Sequence, residues 1–302
     1  MRVIDFFAGA GGSSLGAMWA GARPVAAVNH WHIAAATLRA NHPGLDVREE
    51  DVLSASSLPP ADGLLFSPEC KYHTVASGGR RRAPEHQQTA DRSRSTAWAV
   101  VWWVGNLLPE WWVVENVSEF RRWPEWPAWW EALGALGYYT AEGVLDASRF
   151  GVPQSRRRWF AVGHRSRLVA LPVGRAQERT VRECLDLDLP GRPISGRGLA
   201  DSTLARVEAG RAAGLEDFLA VYYGSGPQFQ GLDRPCRTLT CVDRFALVRG
   251  DTLRMLTPLE LRRIQGFPDG YHLAGNRREQ VAQLGNAVPP AVMAAIVREV
   301  AA

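Results

Sequence analysis

The chain has 302 residues, 46% of them hydrophobic and 22% charged, which is the balance of a folded globular protein and excludes a disordered one. No apolar run reaches the length of a membrane span, and the four cysteines (Cys70, Cys184, Cys236, Cys241) show neither metal-ligand spacing nor a disulfide framework, so no metal, no membrane and a reducing cytoplasm are expected. A net charge of +4 and a pI near 9.1 permit a nucleic-acid partner without requiring one.

Met1-Arg2 leads straight into a β-branched and aromatic run, residues 2–7, so no leader segment is expected. The stretch AGAGGSSLGAMWAGA follows and takes on a helical pattern. Strand, glycine turn and helix form the first unit of a nucleotide-binding sheet. Asp5, Gly9, Gly11 and Gly12 fit the version in which an adenosyl group lies over the turn; taken alone, such a turn is equally a tight turn and no more. A second strand, residues 24–28, ends at Asn29, where a nucleoside-binding sheet normally offers a carboxylate to the ribose hydroxyls. His30 and His32 follow, with poor metal geometry, before a helix over residues 33–41. Residues 47–52 read as a third strand, and Asp51 at its end either receives an adenine amine or caps the next turn.

Leu64, Leu65 and Phe66 read as the end of a buried strand that Ser67-Pro68 stops. Cys70 lies just beyond, where open α/β sheets place their chemistry. Glu69 and Lys71 flank it, and Lys71 is the only lysine in the chain. A neighbouring cation favours thiolate, the form that attacks carbon; a buried structural cysteine is the competing reading. Lys71, Arg80, Arg81, Arg82, Arg92 and Arg94 make the following loop basic, suited to a phosphate backbone or simply to solvent.

A helix is expected over residues 95–108 and a strand over 111–115 that presents Glu115 toward the same crevice as Cys70. The twelve tryptophans, clustered at helical spacing around Trp123, Trp126, Trp129 and Trp130, read as core more than as base-stacking platforms. Residues 138–145 form another strand, and on an extended segment Gln154, Arg156 and Arg158 share one face. From Arg165 to about Leu232 periodicity breaks, which suggests a small second domain or a long insertion. A helix over residues 255–266 carries a capping box from Thr257 to Glu260 with Pro258 at its first position. QLGNAVPP reads as a Gly-Asn turn before a closing helix over residues 291–300.

Together DFFAGAGG, the spacing from Asp62 to Cys70, Glu115-Asn116-Val117, QSRRR at residues 154–158, LTPLELRRIQGFPD and QLGNAVPP resemble, in this order, the motifs of the DNA cytosine-C5 methyltransferase family. The resemblance spans nearly everything outside residues 165–232. It implies an α/β fold: a Rossmann-like S-adenosylmethionine-dependent methyltransferase sheet with a small second target-recognition domain. The catalytic domain would occupy residues 1–164 and 251–302, and the target-recognition domain 165–250. It implies Cys70 as the nucleophile that adds to carbon 6 of cytosine, which makes carbon 5 reactive. Glu115 would hold the ring's N3 and amino edge, with Arg158 and nearby Arg156 steadying the base. The base would leave the duplex for this chemistry, so the expected partner is double-stranded DNA, bound by a monomer.

By the same resemblance Asp5, Phe7, Ala10, Gly11, Asp51 and Asn286 line S-adenosylmethionine, and a restriction-modification role is implied. Departures cluster in one place. Glu69 and Lys71 stand where the family has Pro and usually Gln, Asn29 where it has Glu, and His30 where an aromatic ring packs on adenine. These substitutions bring Asn29, His30, Glu69 and Lys71 into the cofactor set. They leave three readings: an ordinary methyltransferase, one using a charged variant of the cofactor or transferring another group, and a DNA-binding relative without the chemistry. A tRNA cytosine methyltransferase shares the scaffold and is a further alternative.

Overall fold

The computed structural model describes residues 1–69, 96–195, 198–224 and 226–302. The large sheet is laid down by β1 (Arg2–Phe6), β2 (Arg23–Val28), β3 (Asp46–Arg48), β4 (Gly63–Phe66), β5 (Trp111–Asn116), β6 (Tyr139–Asp146) and β7 (Arg157–His164). Its order is β3-β2-β1-β4-β5-β7-β6. The first five strands are parallel, whereas β7 runs antiparallel to both β5 and β6. Strand order therefore reverses between β1 and β4, and the crevice outside their carboxyl ends is where such sheets bind ligands. Because β7 runs the opposite way, its amino end, with Arg158, reaches the same edge as the carboxyl end of β5.

Composition explains which strands are central. All six residues of β5 (Trp-Trp-Val-Val-Glu-Asn) are buried, as a strand covered on both faces requires, while the edge strand β6 is mostly half-exposed. On one face lie α3 (Trp98–Leu107) and α4 (Trp126–Ala135). Trp103, Trp112, Trp129 and Trp159 are buried there, and the Trp129 indole donates to the Ala97 carbonyl at 2.8 Å. Tryptophan thus serves mainly as core in this chain, with Trp19 and Trp102 the exposed exceptions.

On the other face α1 (Gly12–Trp19) packs against α8 (Pro290–Ala301). A Cβ on Gly12 would sit 2.0 Å from the Val288 carbonyl oxygen, and one on Gly16 would sit 2.4 Å from that of Pro290. The two glycines therefore set the approach of the chain's last helix to its first.

A second sheet, ordered β10-β9-β11-β12-β8, comprises β8 (Arg192–Pro193), β9 (Asp217–Val221), β10 (Phe229–Gly231), β11 (Phe245–Arg249) and β12 (Thr252–Met255). Its β12 strand carries it past residue 250. Helix α5 (Asp201–Ala212) covers one face, with Gly210 lying directly over the Phe218 ring. Leu219, Val221, Phe245 and Leu247 on the other face join Leu256, Leu261 and Leu284, so the two sheets share a core layer.

Several expected boundaries move. The third strand ends at Arg48, short of Asp51. The helix expected over residues 255–266 is α6 (Pro258–Ile264), because Met255 pairs with Ala246 in the second sheet. QLGN is the last turn of a helix, α7 (Arg277–Asn286), and the break comes only at Ala287.

Candidate active site

The glycine turn after β1 is built on an inward-facing carboxylate. Asp5 is fully buried, and its Oδ2 accepts from the Ser14 N–H at 2.9 Å and the Ser14 hydroxyl at 2.6 Å. Burial pushes its carboxyl up to about 7 against these bonds, and its Oδ1 has no hydrogen-bond partner among the described residues. Asp5 thus clamps the start of α1 beneath the turn. Phe7 (φ 58°), Gly9 (φ 52°) and Gly11 (φ 82°) all adopt left-handed backbone, which glycine tolerates and phenylalanine does not favour. A Cβ on Gly9 would meet nothing nearer than the Phe7 carbonyl at 3.9 Å, so the turn opens toward the crevice.

One polar side chain bonds to this turn directly. Asn29 is buried at the end of β2; its Oδ1 accepts from the Trp31 N–H at 3.2 Å and its Nδ2 donates to the Gly9 carbonyl at 3.4 Å. His30 is exposed beside it. Asp51 Oδ1 accepts from the Leu53 N–H at 3.0 Å, so the carboxylate caps a turn, one of its two expected roles. Asn286, the last residue of α7, is exposed, and its Oδ1 accepts from the Cys241 thiol at 2.8 Å.

The second part of the site lies where β5 ends and β7 begins. Glu115 is buried with only 7% of its surface exposed, and Arg158 Nε lies 3.3 Å from its Oε1. Burial pushes the Glu115 carboxyl up, while the positive charges of Arg158 and then Arg156 pull it back. Glu115 thus presents a buried carboxyl paired with the Arg158 guanidinium. Asn116 next to it donates from Nδ2 to the Pro68 carbonyl at 3.2 Å, and its Oδ1 accepts from the Val117 N–H at 2.8 Å. This pins the chain leaving β4 against the end of β5, immediately before Glu69, which is half-buried. Cys70 and Lys71 lie outside the described residues.

Arg156, expected near Arg158, also ties separate elements together. It is buried, and its Nη1 and Nη2 donate to the carbonyls of Leu239 at 3.2 Å and Gly285 at 2.9 Å. Its charge still acts on Glu115, but its terminal nitrogens brace the second sheet's approach and the end of α7. Gln154 does parallel work: its Oε1 accepts from the Leu239 N–H at 2.8 Å and its Nε2 donates to Gln265 Oε1 at 2.6 Å. Gln265 in turn donates to the Ala287 carbonyl at 2.6 Å. Sequence reasoning placed Asn116 and Gln265 inside motifs without giving either a role. The one available signal was a carboxamide beside a strand-end carboxylate and another just before a Gly-Phe-Pro turn.

With this geometry in view, the comparisons with known proteins are decisive. The C-5 cytosine-specific DNA methylase family matches residues 1–185 and 222–302. The chain belongs to that family. Among this methylase's relatives, the type II methyltransferase M.HgiDI of Herpetosiphon aurantiacus is 32% identical over 294 residues, covering 96% of this chain and 90% of that protein. The type II methyltransferase M.AplI of Arthrospira platensis is 28% identical over 318 residues, covering 99% of this chain and 85% of that protein. Two solved structures share the fold of the methylase. Spodoptera frugiperda DNMT2 superposes with a TM-score of 0.73 at 16% identity over 100% of this chain and 99% of that one. Entamoeba histolytica methyltransferase EhMeth gives 0.70 at 17% identity, over 99% and 97%.

Membership makes the protein a methyltransferase and implies S-adenosylmethionine as the donor. The residues present fit a nucleoside of that kind. The turn opens at Gly9, Asn29 at the end of β2 bonds to the Gly9 carbonyl, and Asp51 and Asn286 would add a carboxylate and an amide. The end of β2 carries an amide, Asn29, where nucleoside-binding sheets usually place a carboxylate.

Proposed function

We propose that the enzyme methylates carbon 5 of cytosine in double-stranded DNA, acting on a base turned out of the helix through a transient bond from Cys70 to carbon 6. The observation that carries this reading is the buried Glu115–Arg158 pair at the shared edge of β5 and β7.

S-adenosylmethionine supplies an electrophilic methyl group; Phe7, Ala10, Gly11, Asn29, Asp51 and Asn286 would hold it. The rest of the chemistry belongs to the chain. Carbon 5 of cytosine is too weak a nucleophile to take a methyl group unaided. Addition of the Cys70 thiolate at carbon 6 pushes electron density to carbon 5. Glu115, with its carboxyl raised by burial, gives its proton to N3 and then accepts from the exocyclic amine. Arg158 keeps the resulting carboxylate in place and offsets the charge that develops on the ring. After methyl transfer a base removes the proton from carbon 5, and the electron pair returns to expel the thiolate. None of this can take place on a stacked base, which is why flipping belongs to the reading.

Expression in a host without cytosine methylation, followed by mass spectrometry of DNA nucleosides, tests it. The expected product is 5-methylcytosine, lost in Cys70→Ala. A cytosine of different added mass would instead support the altered-donor reading, and methylation found only in tRNA would overturn the DNA assignment. DNA containing 5-fluorocytosine should trap the wild-type enzyme covalently and leave Cys70→Ala untrapped.

A further inference from the structure

We infer that Tyr271 is a positioning residue for cofactor binding: its hydroxyl, backed by His42, holds the Ala10–Gly11 peptide of the glycine turn in its binding orientation. The inference rests on the S-adenosylmethionine reading above.

That peptide is tied at both ends. Its carbonyl, on Ala10, accepts from the Tyr271 hydroxyl at 2.6 Å, and its N–H, on Gly11, donates to the Ala8 carbonyl at 2.8 Å. A planar peptide held through both groups cannot rotate. The Tyr271 oxygen also lies 3.2 Å from His42 Nε2. Since the phenol spends its single proton on Ala10, the contact requires His42 to donate, which fixes the tautomer with hydrogen on Nε2. The result is a directed chain: His42 N–H to Tyr271 O–H to the Ala10 carbonyl. Both side chains are buried, and burial together with the Asp5 charge pushes the phenol upward, so it remains a donor at working pH.

Space confirms how close the hydroxyl comes. A Cβ on Gly11 would lie 2.6 Å from Tyr271 Oη and 2.7 Å from Leu38 Cδ2. Tyr271 is itself fixed. Helix α2 (His32–Asn41) is stitched to the segment that carries Tyr271: Asn41 Nδ2 donates to the His272 carbonyl at 2.8 Å and Asn41 Oδ1 accepts from the His272 N–H at 2.8 Å. Thr37 Oγ1 accepts from the Ala274 N–H at 2.9 Å and donates to Gln283 Oε1 at 2.7 Å. Left-handed backbone at Phe7 is costly on its own, so the turn's shape depends on such external ties.

Tyr271→Phe keeps the ring against Phe267 and removes only the hydroxyl. It leaves the Ala10 carbonyl and His42 Nε2 without this bond. Titration calorimetry with S-adenosylmethionine and with S-adenosylhomocysteine should show binding weakened about 5- to 20-fold, the order expected from losing one buried hydrogen bond. KM for the donor should rise in step, while kcat at saturating donor falls less than threefold. Val207→Ala, in the core beneath α5, serves as the control for lost stability alone: it should lower the melting temperature with donor affinity unchanged. Tyr271→Phe binding within twofold of wild type overturns the inference. If that variant does not fold, His42→Phe decides instead; a two- to fivefold loss supports the chain and no loss overturns it. Absence of donor binding in the wild type would sink the cofactor reading itself, and so is distinct from a failure of Tyr271.

Discussion

Asp5→Asn should make the protein more stable at pH 8 and not at pH 4.5. The wild-type carboxyl is fully buried, with Oδ2 bonded to Ser14 and Oδ1 without a partner among the described residues, and it is raised from 3.8 to about 7. The folded state therefore binds the Asp5 proton more tightly than the unfolded state. Its contribution is most favourable below pH 4 and is lost as pH rises through 4 to 7. Three pH units at 1.36 kcal/mol each come to about 4 kcal/mol lost above pH 7. Asparagine keeps an oxygen for Ser14 and titrates nothing, but it places an amide NH2 at the unpartnered corner, at a cost of about 1–3 kcal/mol. The net gain at pH 8 is thus about 1–3 kcal/mol, falling to zero or reversing at pH 4.5. Urea unfolding followed by tryptophan fluorescence at both pH values measures it. An equal effect of the substitution at the two pH values would refute the argument, because it would mean that Asp5 does not titrate within that window.

Arg158→Ala should cost about 3–5 kcal/mol at pH 8, since it leaves Glu115 buried without its ion pair, and less at low pH, where a protonated Glu115 needs none; pH-resolved unfolding reads the difference. Glu115→Gln should lower methyl transfer at least ~100-fold, the usual size of a lost general acid, with duplex binding in a filter or gel-shift assay nearly unchanged. Gly12→Ala would force a Cβ to 2.0 Å from the Val288 carbonyl and should destabilise by about 3 kcal/mol or more, read as a lower melting temperature. Arg156→Met should lose donor affinity and stability together, because the carbonyls it braces lie on Leu239 and on Gly285 beside Asn286; calorimetry and thermal melting test the pairing.

Several parts of the site were legible along the chain because their signals are local. A glycine turn declares its backbone need within a few residues. The Thr257–Glu260 capping box is one helical turn long, and the structure forms it with the Thr257 hydroxyl accepting from the Glu260 N–H at 3.2 Å. Glu115 stood out because a carboxylate ending an apolar strand has few structural reasons to be there. Other features were not legible, for equally physical causes. Arg156 and Arg158 look alike in QSRRR, yet one donates to two backbone carbonyls and the other pairs with Glu115. Gly285-Asn286 looks like a turn, yet it ends a helix, and Gly285 is there because a Cβ would meet the Thr240 backbone at 2.3 Å.

By itself the sequence determined the order of most strands and helices outside residues 165–232, the glycine turn and the presence of an acid, an arginine and a cysteine in family spacing. These depend on periodicity and on residue types within a few positions of one another. Only the tertiary structure decided which arginine meets the acid, which carbonyls Arg156 braces, and that Tyr271 reaches back 261 residues to hold the Ala10 carbonyl. Such contacts form because strand order reverses beside β1 and the chain's last helix closes over its first, and no local pattern records who then becomes a neighbour.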